Sequence, residues 1–468
     1  MFYSVEEALN YIEEDNISII DVRFVDLLGR WHHVSLTSER AACFFSEGIP
    51  FDSSSIPGFR GVNCGDMNLM PDIGSAFLDP FTEARTLVFI CSVVEADTGE
   101  GIPEDPRSVL FRAESLLKKK LGAESLWLPE LEFYLFDKAS FKTTESFCFF
   151  QFENIEADSR ENSYIHPPSG GYHSMSPSDK DFDLRSEIVL LAEKAGIPIR
   201  YHHHEVGRFG QQEIEMLPSP PVKAADSVMK LKYLIRMAAL DRGMVATFMP
   251  RPLYNEPGNG MHFHQYLTKD GGSLFWDEKG LYSHFSDIGK AYIAGVLEHS
   301  SSIVGLTNPT TNSYRRLVSG FEAPAKKFYG LANRSAAIRI PKYDDKPACK
   351  RFEFRPPDAT CNPYLAVAAQ LLAGLDGIMK KLDPTALGYG PFDDNIDTWS
   401  ESKKKSLKDI PATLDLALKA LKSDRKYLTQ DSVFSDSILN RHIEFASKNA
   451  EDVAKYPNPR EMELYFDL

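Results

Sequence analysis

Five carboxylates and one imidazole stand out for the chemistry they could share: Glu130, Glu132, Glu205, Glu213, Glu353 and His262. Anionic oxygens with a ring nitrogen form a donor set for hard divalent cations such as Mg²⁺ or Mn²⁺, whereas a soft metal would call for thiolates. Spacing sharpens the point. In Pro129-Glu130-Leu131-Glu132-Phe133 the glutamates stand at i and i+2, so a strand projects both from one face while Leu131 and Phe133 point to the other. Alone, that alternation also describes a half-exposed strand. Glu205, after His202-His203-His204, and Glu213, beyond Gly207 and Gly210, form a second pair that a hairpin would bring together. Met261-His262-Phe263-His264 and Arg351-Phe352-Glu353-Phe354-Arg355 repeat the pattern, and four such strands suggest one lined cavity.

Basic residues complete the picture. Arg315, Arg316, Arg334, Arg339 and Arg355 lie among small and apolar residues, which implies that some are buried. Guanidinium forks bind carboxylate and phosphate oxygens bidentately, although the same groups could simply pair with the glutamates. An acidic metal cage beside an arginine cluster suits the joining of metal-bound phosphates to an anionic acceptor.

The elements that must position these residues are legible in part. Ser4-Val5-Glu6-Glu7 has capping-box spacing, and β-branched runs follow at 17–25, 31–36 and 86–94. Asp105-Pro106 predicts a helix to about Leu121, stopped by Gly122, and a domain boundary is placed near residue 103. Beyond it strands are expected at 126–136, 199–206, 212–216, 244–249 and 261–267, with helices at 181–195, 224–242 and from Asn362-Pro363 to about 382. The segment from Phe141 to Asp179 has no clear period and reads as irregular and exposed. The last third reads as helical, with Leu414, Leu418 and Leu421 on one stripe.

Composition sets limits. A formal charge of −15 over 468 residues argues against a nucleic-acid partner. The longest apolar stretch, Leu87 to Val94, is too short to span a bilayer, and the acidic N-terminus is unlike a signal peptide, so a cytoplasmic protein is expected. Six cysteines without a CxxC pair fit reduced thiols.

Several further segments, in order, resemble type I glutamine synthetases: Phe51-Asp52-Ser53-Ser54-Ser55-Ile56, Asn308-Pro309-Thr310-Thr311-Asn312-Ser313-Tyr314, Gly320-Phe321-Glu322-Ala323-Pro324, Asn333-Arg334-Ser335, Ile338-Arg339-Ile340-Pro341 and Asn362-Pro363-Tyr364. The resemblance implies an α+β fold, with a small β-grasp-like N-terminal domain (1–103) and a large catalytic domain (104–468) built on a curved, mainly antiparallel sheet flanked by helices. It implies ATP-dependent ligation of ammonia to L-glutamate through γ-glutamyl phosphate, with two or more Mg²⁺ or Mn²⁺ ions per site. Glu132, Glu205 and Glu213 would hold the first ion, and Glu130, His262 and Glu353 the second. Gly258, Arg316, Glu322 and Arg355 fall where the family binds substrate, and His264, Arg334 and Arg339 where it meets nucleotide. Asp52, Glu322 and Arg339 match catalytic positions, Asp52 as the group that deprotonates ammonium and Glu322 as a flap residue. Two stacked hexameric rings, with each site shared between neighbouring subunits, are implied as well. A glutamate–amine ligase and a non-catalytic relative are the alternatives.

The chain also departs from the family pattern. Ser53 stands where glycine is common, and Pro257 replaces an asparagine of the glutamate pocket. Arg200, Tyr266 and Glu215-Met216-Leu217 differ from the usual nucleotide contacts. Asn395-Ile396-Asp397 lacks the tyrosine of adenylylated members, which argues against that control.

Overall fold

The computed structural model describes residues 2–61, 64–157, 163–318 and 323–465. Near the N-terminus a helix, Val5–Glu14, is capped by Ser4, whose hydroxyl accepts from the Glu7 amide. The Glu7 carboxylate accepts from the Tyr3 amide, one residue earlier than a capping box would place it. Strands β1 (Ile19–Val25), β2 (Trp31–Thr37), β3 (Ile49–Asp52), β4 (Asp66–Pro71), β5 (Phe77–Leu78) and β6 (Thr86–Glu95) form a sheet of order β2-β1-β6-β4-β3, with β5 also on β6. β1 and β6 run parallel, a pairing that needs a long crossover, while the other pairs are antiparallel. The apolar run Leu87–Val94 is thus a central strand buried on both faces. A core around Ile20, Val22, Phe44, Leu69 and Phe89 sits on this sheet.

The second sheet comprises β7 (Glu124–Phe136), β10 (Ile199–His204), β11 (Gln211–Met216), β12 (Val245–Thr247), β13 (Met261–Lys269), β14 (Gly272–Ser273), β15 (Tyr329–Leu331), β16 (Ile338–Ile340) and β17 (Phe352–Phe354), in the order β10-β11-β7-β13-β17-β16-β15. All its pairs are antiparallel except β15 with β16. Helices Pro106–Leu121, Phe182–Lys194, Pro221–Asp241, Asp287–Glu298 and Pro363–Lys380 pack around it. Asp105 caps the first of these through the amides of Arg107 and Ser108, and Gly122 ends it in the left-handed conformation. Asn362 caps the last in the same way, with Pro363 at its first turn.

Two expectations need correction. The helix predicted from Ala224 begins at Pro221, because proline suits a first turn whose amide N–H groups have no acceptor within the helix. The stretch 141–179 is not wholly irregular: β8 (Lys138–Thr143) and β9 (Cys148–Glu153) form a hairpin. Neither strand has a fully buried position, so no two-residue apolar period marks them. The chain then turns inward, and Asn154, Glu156, His166, Asp179 and Asp181 are buried. All six cysteines are unpaired, and no helix among the described residues is long and apolar enough to cross a membrane.

The C-terminal helices are tied to this body partly by charge. Leu414, Leu418 and Leu421 bury one stripe of Leu414–Ser423. Beside them His299 is held at 2.8 Å by both Asp376 and Asp424. Burial opposes the charged ring, but the two carboxylates prevail and raise its pKa. That stabilisation is complete below the unfolded value near 6.5 and is lost as pH rises through the higher folded value. His299→Gln should therefore cost about 1–3 kcal/mol at pH 6 and much less at pH 9, as read by urea denaturation at the two pH values.

Candidate active site

Register converts six separate strands into one charged wall. Residues paired across neighbouring strands share a face. Glu213 of β11 pairs with Glu132 of β7 and with His203 of β10, Glu215 with Glu130, and Glu130 in turn with His262 of β13. Across the remaining strands His264 pairs with Glu353 of β17, and Glu353 with Arg339 of β16. Leu131, Phe133, Ile214 and Phe263 project into the core behind.

The wall lines a cavity of about 580 Å³. Glu130, Glu132, Glu205, Glu213, His262, Glu353, Gly258, Arg316, Arg334, Arg339 and Arg355 all face it. Among the described residues two candidate cation groups have all their members on the cavity wall. In one, Glu130, His262 and Glu353 converge, with His262 Nδ1 3.0 Å from Glu130 and 3.4 Å from Glu353. In the other, Glu205 and Glu213 flank His203, whose Nε2 is 3.4 Å from Glu213. Glu132 sits on the seam between them. One of its oxygens accepts the Gly260 amide at 2.5 Å, and the other is 3.9 Å from His262.

Electrostatics shows what this wall lacks. Burial, Glu213 and Glu132 push the Glu205 carboxyl well above its usual range, and burial with Glu130 and Glu132 does the same to Glu213. Glu130 goes the other way: burial opposes its charge, but the imidazoles of His264 and His262 hold it well below that range. Burial also works against Glu353, yet the Arg355 guanidinium leads a set of cations that brings it down to about 2. Arg339 donates to one Glu353 oxygen at 2.7 Å and Arg355 to the other at 2.5 Å. One half of the wall therefore carries its own cations, and the other is a set of mutually repelling carboxylates. Carboxylates crowded in this way suit a hard divalent cation.

Other residues do different work. His264 does not line the cavity: it is wholly buried, receives the Arg351 Nε–H at 3.3 Å and meets Glu130 at 2.7 Å. Its placement holds Glu130. Arg316 is buried, donates to the carbonyls of Pro356 and Arg355, and lies 3.2 Å from His262 Nε2. Gly258 is required by close approach, since a Cβ there would come 2.4 Å from the Pro250 carbonyl and 2.8 Å from the Arg316 side chain. Arg315 is exposed. Asp52 is exposed at the end of β3 and away from the cavity, where both its oxygens accept from Ser54 at 2.8 and 3.0 Å and lower its pKa. Ser53 needs no left-handed backbone there, and its amide donates to the Gly65 carbonyl. Glu322 lies outside the described residues.

Sequence reasoning missed His203, Glu215, Tyr172 and His173. His203 and Glu215 extend the alternation of Glu205 and Glu213, a signal that was available. Tyr172 and His173 come from the stretch without period and reach the cavity by stacking, His173 on His203 at 4.4 Å.

Residues 16–96 match the family described as the glutamine synthetase beta-Grasp domain, and residues 103–465 match the glutamine synthetase catalytic domain. The chain belongs to the glutamine synthetase family. It is 40% identical over 479 residues to a glutamine synthetase of Frankia alni, with all of both chains covered, and 38% identical to that of Nostoc sp., with 99% of each covered. A relative in Cupriavidus pinatubonensis described as 3-hydroxylaminophenol mutase is also 40% identical, again over the whole of both chains. Among solved structures, Plasmodium falciparum glutamine synthetase superposes with a TM-score of 0.90 at 25% identity, covering 99% of each chain. The enzyme is a glutamate–ammonia ligase that uses ATP, with a β-grasp N-terminal domain and a large catalytic domain.

The repelling carboxylates have a measurable consequence. Their folded pKa values exceed the unfolded value, so the folded chain binds more protons than the unfolded chain between them, and stability falls as pH rises through that window. In metal-free protein the melting temperature should drop from pH 5 to pH 8. Glu213→Gln should flatten the slope and Mn²⁺ should restore the lost stability at pH 8; a pH-independent melting curve for the metal-free protein would contradict the electrostatic account.

Proposed function

We propose a division of labour within this cavity for ligation of ammonia to L-glutamate through γ-glutamyl phosphate. The observation that carries it is the juxtaposition, on one sheet face, of a carboxylate set without its own counter-charge and a set of arginines. Glu132, Glu205 and Glu213 would hold one divalent ion, and Glu130, His262 and Glu353 a second, of Mg²⁺ or Mn²⁺ type. Such ions neutralise triphosphate and carboxylate oxygens that would otherwise repel each other during in-line transfer.

The chain's own residues do the rest. Arg339 and Arg334, at the cavity wall, bind phosphate oxygens, and Arg355 faces the transferred phosphoryl group or the substrate carboxylate. Arg316 takes the α-carboxylate of glutamate over Gly258. A coupling follows from hydrogen-bond chemistry: an arginine can only donate, so His262 Nε2 accepts from Arg316 and Nδ1 carries the ring hydrogen. If Nδ1 becomes a ligand, the hydrogen moves to Nε2 and Arg316 needs a new acceptor, which the substrate carboxylate supplies.

Asp52, whose carboxylate stays ionised, would remove a proton from ammonium, and Glu322 would close over the acyl phosphate and exclude water. Asp52 is exposed and outside the cavity of its own chain, which supports a shared site in a ring, two hexamers stacked as a dodecamer. The gap between the matched segments, 96 to 103, supports a domain boundary near residue 103. A cytoplasmic location fits this reading.

Phosphate release from ATP should require glutamate, ammonium and Mg²⁺ or Mn²⁺, with methylamine and polyamines at least ~10²-fold poorer in kcat/KM. Equal or better turnover with an amine would replace ammonia as the acceptor. In mixed rings, subunits carrying Asp52→Ala and Glu353→Gln, each inactive alone, should recover part of the activity through sites built from one intact residue of each. Absence of recovery in rings proven to be mixed would rule out the shared site.

A further inference from the structure

Behind the cavity lies a second cluster that the reaction does not use. Glu156, His166 and His204 are almost wholly inaccessible, at 0%, 3% and 0% exposure, and their ligand atoms all lie within 4.8 Å of one another. They come from different parts of the chain: His204 ends β10, and the other two belong to the inward-turning stretch after β9.

The hydrogen-bond pattern leaves a gap between them. His204 Nδ1 is 2.6 Å from the Glu205 carbonyl oxygen, which can only accept, so Nδ1 carries the hydrogen. In the neutral ring the Nε2 lone pair then faces a Glu156 carboxylate oxygen 2.8 Å away. Two lone pairs at that distance repel, and either a proton or a metal ion relieves the repulsion. The other Glu156 oxygen already accepts the Lys180 amide at 2.6 Å. His166 is the next neighbour, its ring 4.7 Å from that of His204. A metal ion turns the same neighbour into a ligand. The surroundings also favour positive charge, because Asp179 and Asp181 are buried nearby with Arg185, which bonds Asp179 at 2.8 Å.

We propose that Glu156, His166 and His204 form a structural site for one Zn²⁺-class ion, distinct from the cations of the cavity. Two imidazoles and a carboxylate are a zinc donor set, and the Ser174 hydroxyl, 3.5 Å from His166 Nε2, or a water completes four-coordination. The His204 Nδ1–H···O=C bond is the outer-shell contact that orients a ligating imidazole. Such an ion would pin the segment carrying Tyr172 and His173 to the strand that delivers Glu205. The Gly171 amide on the Val206 carbonyl and the His173 amide on the His204 carbonyl already mark that seam.

The test is metal content and not activity. Full-length protein dialysed against EDTA should retain about one zinc per chain by plasma mass spectrometry, because the site is closed. Glu156→Gln and His166→Asn should each retain less than a tenth of that, whereas Glu213→Gln should match the wild type. Circular dichroism and Mn²⁺ binding at the cavity check that the variants fold. Independently of any variant, X-ray absorption on the wild type should show two imidazoles and oxygen around the zinc. Less than a tenth of an equivalent in the wild type, both after dialysis and after incubation with ZnCl₂, would overturn the site, as would zinc lost equally from Glu213→Gln. A zinc-free chain that still ligates ammonia would leave the ligase reading standing, and a zinc-holding chain that does not would do the reverse.

Discussion

Like charges held on one face of a buried sheet are the constraint from which the rest of this structure follows. Glu130, Glu132, Glu205 and Glu213 are brought together by strand register, and burial makes their repulsion severe because a low-dielectric interior weakens screening. Hydrophobic packing of the opposite face holds them there: Leu131, Phe133, Ile214 and Phe263 alternate with the charged residues and anchor the strands to the helices behind. A shift of one residue in any strand would send its carboxylate into that core. The same pairings that make the core therefore also make the site.

Neutralisation is divided between two sources. On the β13–β17–β16 side the chain supplies its own, with Arg339 and Arg355 on Glu353 and ring N–H bonds from two histidines on Glu130. On the β10–β11 side Arg200 pairs with Glu215, but among the described residues no arginine or lysine ion pair reaches Glu205 or Glu213, and the His203 imidazole lies 3.4 Å from Glu213. This asymmetry separates residues poised to exchange partners with a substrate from residues that await an ion. Arginines paired to Glu353 are held in place without being used up, because each has donors beyond those bonds.

Much of this was legible in the sequence, for identifiable reasons. Alternating Glu130/Glu132, His262/His264 and Glu353 carry a two-residue period flanked by large apolar residues, and caps such as Asp105-Pro106 and Asn362-Pro363 mark helix starts with local chemistry. What escaped was positioned by tertiary contacts alone. The β8–β9 hairpin has no buried face to impose a period, and Tyr172 and His173 reach the cavity by packing on His203, a relation without fixed spacing. The placement of His264 was hidden for a related reason. Period places it on the face of His262, but only the Asp344–Arg351–His264–Glu130 chain of contacts shows that it lies behind the wall.

That chain illustrates how the sheet reads as layers of decreasing exposure. Asp344 fixes Arg351, Arg351 donates to His264, and His264 is thereby left with its hydrogen on the nitrogen that faces Glu130. Glu130 then has one oxygen committed to His264 and the other turned to His262 and the cavity. A carboxylate so held loses little freedom when it takes up a ligand's charge, which is the benefit of preorganisation. Glu205 is backed less firmly, with His203 Nδ1 3.8 Å from one of its oxygens. Its second oxygen takes only the adjacent Val206 amide, and its backbone is held through His204 to Glu156. Whatever cation or proton occupies that inner pair therefore also sets how firmly the outer carboxylate is aimed, so the two halves of the wall are organised by the same device, a buried histidine one step behind a glutamate.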